Sequence, residues 1–245
     1  MVRSLSRRAL AEFIGTGLLV TAVVGSGIAA ARLSPGNLGL ELFENAAATG
    51  AALVAIILAV GPVSGAHLNP IITLVDRAFG GSTSRDAIAY LGAQFAGASV
   101  GAIVANSMFG LGAIEISQHA RSGGGLWVGE GVATFGLLLV VFGLVRSHRT
   151  GVAPLAVGAY IGAAYFFTSS TSFANPAVTV ARTLSDTFSG IAPSSVLAFV
   201  VFQLIGGAIA AGTIGVLYPD PSRSARDVLV PHETSASAIQ PEEVP

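Results

Sequence analysis

The chain has 245 residues, of which 52% are hydrophobic and 10% charged, a net charge of −1 and a mean hydropathy of +0.74. That balance excludes an ordinary soluble domain and reads as an integral membrane protein. The near-zero charge gives no sign of a nucleic-acid partner, and the absence of cysteine excludes disulfides, thiolate metal sites and thiol catalysis.

Residues 1–8 hold Arg3, Arg7 and Arg8 and read as a cytoplasmic N-terminus. Nearly charge-free stretches then cover 13–31, 45–66, 87–114, 126–145, 151–177 and 187–219. Each supplies the roughly 20 apolar residues that cross a hydrocarbon core of about 30 Å, so six spans are expected. Arg7-Arg8, the following apolar run and Gly27-Ile28-Ala29-Ala30-Ala31 also match a cleavable signal peptide. Against that stands Glu12, whose counterpart Glu130 opens the fourth span and implies that the first span stays in the fold. Two apolar pieces of roughly 8 to 10 residues follow Asn69 and Asn175; they are too short to cross and read as re-entrant half-helices. The tail over 218–245, rich in Ser, Pro, Glu and Asp, reads as a disordered cytoplasmic segment.

Lysine is absent, so arginine sets the orientation. With both termini cytoplasmic, Arg3, Arg7, Arg8, Arg77, Arg85, Arg146, Arg149, Arg223 and Arg226 fall inside, and only Arg32, Arg121 and Arg182 fall outside.

The two halves echo each other. Glu12 is matched by Glu130, Gln94 by Gln203, and Asn69-Pro70 with Thr73 by Asn175-Pro176 with Thr179. Repeat one covers 9–115 and repeat two 125–217, with a polar, glycine-rich connection between them. Three spans per copy make the second copy enter from the opposite face, which is an inverted repeat whose broken helices mark the permeation site. Gly97 with Gly101, and Gly158 with Gly162, are small residues four apart that let helices approach closely. Glu12 and Glu130 are carboxyls inside apolar spans: either a proton relay or, as favoured, braces accepting hydrogen bonds from the re-entrant loops.

Asn is a strong N-cap and Pro is favoured at the first helical position, so each Asn-Pro starts a helix. Capping uses the carboxamide oxygen and leaves the NH2 donors for a passing solute. Two half-helices starting near the midplane would bring Asn69 and Asn175 together, with two positive dipole ends that repel cations and suit a hydroxyl oxygen. The carbonyls of 65–68 and 170–174 would line the path.

Ala11-Glu12-Phe13-Ile14-Gly15-Thr16, Ser64-Gly65-Ala66-His67-Leu68-Asn69-Pro70 and Asn175-Pro176-Ala177 resemble the signatures of the aquaporins, or major intrinsic proteins, over roughly residues 9–217. The resemblance implies an all-α, right-handed bundle of six transmembrane helices plus two re-entrant half-helices, a homotetramer in membrane lipid with one pore per subunit, and passive flow of water or small neutral solutes. It places His67 at the cytoplasmic vestibule.

The chain departs from that pattern twice. The first motif reads Asn69-Pro70-Ile71, and its extra bulk is expected to shift packing beside the pore. The residue after Asn175-Pro176-Ala177 is Val178 where the family has an arginine, and motif offsets put Thr49, Ala163 and Ser172 with it in a small, uncharged and wide constriction. Arg182, one turn beyond Val178, could restore the charge; an i, i+4 ion pair with Asp186, or a head reaching the outer interface, is the favoured alternative. The stretch from Ala174 to Phe188 resembles a bacterial aquaporin subgroup associated with arsenic resistance, which implies arsenite, a neutral trihydroxide, as a solute.

The expectation is a passive channel in the bacterial inner membrane for glycerol-like polyols, arsenite and water, without cofactor or metal. The alternatives are a water-selective aquaporin and, more distantly, a proton-coupled transporter using Glu12 and Glu130. The pore positions contain no nucleophile-base pair or metal-ligand cluster, so an enzyme is not expected.

Overall fold

A computed structural model describes residues 4–219. Most of the expected cytoplasmic tail, residues 220–245, lies outside the described residues, as do residues 1–3.

Among the described residues six helices are long and apolar enough to cross a membrane: α1 (Leu5–Leu33), α2 (Leu38–Ser64), α4 (Ser84–Met108), α5 (Gly124–Arg146), α6 (Ala153–Phe167, extended backwards by a 3-10 turn at Thr150–Val152) and α8 (Pro193–Leu217). Two short helices, α3 (Pro70–Ala78) and α7 (Pro176–Ala181), start at the Asn-Pro pairs. Both have the predicted cause. Asn69 is extended and its side chain accepts from the Ile71 N–H, and Asn175 accepts from the N–H groups of Ala177 and Val178, with Pro next in each case. The fifth span is shorter than its apolar stretch, because the backbone leaves the helix at Thr168 and enters the second loop.

Contacts repeat between the halves. α1 packs on α2 and α4 as α5 packs on α6 and α8, and α2 meets α6 where the halves join. Each half-helix is also seated across the repeat, α3 against α8 and α7 against α4. Glycine permits the closest approaches. A Cβ on Gly97 would overlap the carbonyl oxygen of Phe13, one on Gly101 that of Gly17, and one on Gly206 that of Gly131. Where α2 crosses α6, a Cβ on Gly158 would sit 2.6 Å from the Gly50 carbonyl oxygen, whereas one on Gly162 would make only ordinary contact at 3.7 Å. The close approach there belongs to Gly158 and Gly50, not to Gly162.

Ile71 does not crowd the pore. It is buried against α8, where its Cγ2 would lie 2.5 Å from a Cβ on Gly207, and its neighbour Ile72 faces the channel. At the equivalent positions of the other half are Ala177 and Ala98, both fully buried. Volume has thus been moved from one helix to its partner, the kind of swap a packed interior accepts.

Gly207→Ala should lower stability by about 1–3 kcal/mol through overpacking. Adding Ile71→Ala should recover most of that loss, measured by thermal unfolding in detergent; purely additive losses would contradict the seat.

Candidate functional site

The two loops that lead into α3 and α7 have the same backbone. Ala66 and Leu68 have φ of 48° and 50°, and Ser172 and Ala174, each 106 residues further on, have φ of 52° and 48°. Left-handed backbone is costly for residues with a Cβ, of order 1–2 kcal/mol each, so something must hold it. The buried carboxyls do. Glu12 accepts from the N–H groups of His67 (2.9 Å) and Leu68 (2.7 Å), and Glu130 from those of Phe173 and Ala174 (2.9 Å each). Gln94 then ties Glu12 to Thr73 at 2.8 and 3.0 Å, and Gln203 ties Glu130 to Thr179 at 2.6 and 2.9 Å. N–H and C=O of a trans peptide point opposite ways. The carbonyls of Ala66, His67, Ser172 and Phe173 are therefore directed away from the carboxyls, toward the cavity these residues line.

Asn69 and Asn175 meet at the centre, but their donors are not all free. Asn69 Nδ2 donates to the Ala174 carbonyl and Asn175 Nδ2 to the Leu68 carbonyl, both at 2.7 Å. One amide hydrogen of each therefore locks the opposite loop, and one remains for solute. Both residues border a single cavity of about 600 Å³, open ends included.

Stripes of side chains at helical spacing form the rest of its wall: Leu19 and Val23 on α1, Leu137 and Val141 on α5, Thr49, Leu53 and Ile57 on α2, and Val157, Ile161 and Tyr165 on α6. Thr49, Ser172 and Val178 line it as well. Ala163 does not; it is exposed on the outer face of α6. Its expected place is taken by Tyr165, buried, with its hydroxyl 3.2 Å from that of Thr49. Counting back from Asn175 erred by two residues, and at about 100° per residue two residues turn a helix to its opposite face. The available signal was the i, i+4 stripe 157, 161, 165.

Arg182 corrects the second expectation. It makes no ion pair with Asp186, which instead accepts from the Gln118 N–H at 2.8 Å, and it does not reach outward, being 2% exposed. Its guanidinium carbon is 3.4 Å from the ring centroid of Phe173, and its Nε donates to the Ser189 carbonyl. It lines the cavity one turn outside Val178, so the mouth is charged although position 178 is not. His67, at the other side of the Asn pair, also lines the cavity, with Nδ1 3.1 Å from Thr73 Oγ1 and its ring edge-on to Tyr90. Among the described residues no cluster of three or more His, Asp or Glu is placed to hold a metal.

The profile of the major intrinsic protein family matches residues 2–174. The chain belongs to that family. It is 50% identical to the aquaglyceroporin AqpS of Rhizobium meliloti (strain 1021) over 84% of this chain and 88% of the relative, and 29% identical to the probable aquaporin AqpM of Archaeoglobus fulgidus over 86% and 96%. The crystal structure of the aquaglyceroporin from Plasmodium falciparum superposes with a TM-score of 0.70 at 20% identity, covering 88% of this chain and 98% of that one, which places the chain in the aquaporin fold. This family member is a multi-pass membrane channel for small solutes and water, and not an enzyme.

Glu130→Gln should destabilise the channel by about 1–3 kcal/mol, because an amide NH2 would face the Phe173 or Ala174 N–H and leave a buried donor unpaired. Thermal unfolding in detergent checks this; an unchanged midpoint would remove the bracing role.

Proposed function

We propose that this channel conducts small neutral polyhydroxylated solutes, glycerol-like polyols and arsenite trihydroxide, with water as co-permeant. It does so in a bacterial inner membrane, as a homotetramer with both termini cytoplasmic. The observation that carries the reading is the mixed wall of the cavity. Loop carbonyls, the two Asn amides, Thr49 and the Tyr165 hydroxyl supply a polar track, while aliphatic stripes from α1, α2, α5 and α6 supply the remainder. A polyol passing such a wall keeps its hydroxyls bonded and lays its carbon skeleton on the aliphatic side chains. The Ser172 hydroxyl borders the cavity, is buried and has no hydrogen-bond partner among the described residues, and a solute hydroxyl supplies one.

Val178, Thr49 and Ser172 keep the constriction short of bulk, and Tyr165, in place of Ala163, sets its width. Arg182 supplies the positive charge at the mouth, with the α3 and α7 N-termini adding theirs at the centre. His67 faces the cytoplasmic vestibule. Glu12 and Glu130 brace loops rather than relay protons, since both carboxylates are occupied by backbone N–H groups and a Gln amide. The 50% identical rhizobial relative is named an aquaglyceroporin, and the arginine distribution supports the orientation. The runner-up, a water-selective channel, is favoured by one observation: Tyr165 and Arg182 together add bulk and charge to the mouth.

Proteoliposomes followed by light scattering separate the two. Glycerol and arsenite gradients should give shrinkage followed by fast reswelling; shrinkage without reswelling in either solute would establish the water-selective reading. Val178→Arg should cut glycerol permeability about tenfold or more while water permeability falls less than about threefold. Tyr165→Ala should shift the glycerol-to-water permeability ratio upward; no change in that ratio would remove Tyr165 from the constriction.

A further inference from the structure

Outside the constriction lies a second pocket, and Arg182 lines both it and the pore. Its wall includes Asn45 of α2, His119 and Arg121 of the connection between the repeats, and Phe188. Two guanidinium groups share one aromatic ring there. The carbon of Arg182 lies 3.4 Å and that of Arg121 5.2 Å from the centroid of Phe173. Both are held by the same turn: Arg121 donates from Nε to the Gly190 carbonyl (2.8 Å) and from Nη2 to that of Phe188 (3.1 Å), and Arg182 donates from Nε to that of Ser189. A guanidinium has five N–H donors, so these anchors leave donors on each for the pocket.

One carboxylate, Glu130, acts on both through space, so a single negative charge stands against two positive ones. The ion pair found among the described residues is Arg8 with Asp86, at the far end of α4, and no Asp or Glu lines the pocket. The hydrogen bonds of Glu130 go to the second loop and Gln203 and that of Asp186 to the Gln118 N–H, and among the described residues neither carboxylate pairs directly with Arg121 or Arg182. Two cations held near one another and half or fully buried repel, and burial holds the Arg121 guanidinium below its ordinary pKa. An anion relieves that repulsion, and a planar oxyanion matches the guanidinium fork.

We propose that this outer pocket is a binding site for a small monovalent oxyanion or carboxylate, held by Arg121 and Arg182, whose occupancy obstructs the mouth of the pore. It rests on the reading of the chain as a neutral-solute channel with its mouth at Arg182. Anions therefore act as inhibitors of neutral-solute flow from that side.

The test uses the full chain in proteoliposomes with sodium nitrate replacing sodium chloride at constant ionic strength, since nitrate is planar and chloride is not. Nitrate should lower glycerol permeability saturably and by at least about threefold relative to chloride. Arg121→Gln should raise the nitrate concentration for half-inhibition about tenfold or more while basal glycerol permeability stays within about twofold. Arg121→Lys keeps the charge and should retain part of the inhibition. Equal permeability in the two salts, or nitrate inhibition unchanged by Arg121→Gln, would overturn the site. If the wild-type channel passes no glycerol, the solute reading fails alone, and osmotic water flux in the same two salts decides the anion site.

Discussion

Two hydrogen bonds between the re-entrant loops hold the centre of this channel: Asn69 to the Ala174 carbonyl and Asn175 to the Leu68 carbonyl. Each joins one repeat to the other at the place where both helices are broken. Loop backbone in a membrane interior is tolerable only where its polar groups are satisfied or line water. Here the N–H groups go to Glu12 and Glu130, the cross-bonds fix the spacing of the two Asn residues, and the carbonyls of Ala66, His67, Ser172 and Phe173 are left to face the cavity. The geometry of the pore follows from that division of donors and acceptors.

The halves are equivalent in backbone and different in side chains. Ile71 with Gly207 replaces the Ala177 and Ala98 of the other half, so the two half-helices are seated alike despite unequal residues. On the pore wall the asymmetry is functional. Thr49 has Val157 at the equivalent place of the other repeat, and Ile57 has Tyr165. One polar residue from each repeat therefore meets the other at a single level, where the Tyr165 and Thr49 hydroxyls are in contact. A symmetric pair of stripes would have put the same chemistry at both ends of the pore.

Much of this was legible in the chain itself. The six spans, the two helix starts at Asn-Pro and the pairing of Glu12 with Glu130 follow from hydropathy, capping and repetition, while the positions given to Thr49, Ser172 and Val178 came from the family resemblance. Ala163 failed because every face of a buried span is apolar, so periodicity does not tell the lipid side from the pore side, and a count across a loop slips easily. The Arg182–Asp186 pair failed for another reason: a charged residue four before an Asp on a helix is ordinarily an exposed pair, and only the fold shows that the helix ends there, in the 3-10 turn Arg182–Leu184 beside Phe173.

By itself the sequence determined the membrane class, the inverted duplication and the residues that break and restart the helices, because these depend on local rules of hydropathy, capping and backbone satisfaction. The tertiary structure alone decided which side of α6 faces the pore, where the bulk of Ile71 goes, that one amide donor of each Asn is spent across the repeat, and that the charge missing at Val178 returns at Arg182. Each of those is a contact between segments more than five residues and often a hundred apart, and such contacts are settled by the packing of helices whose apolar surfaces look alike in the chain.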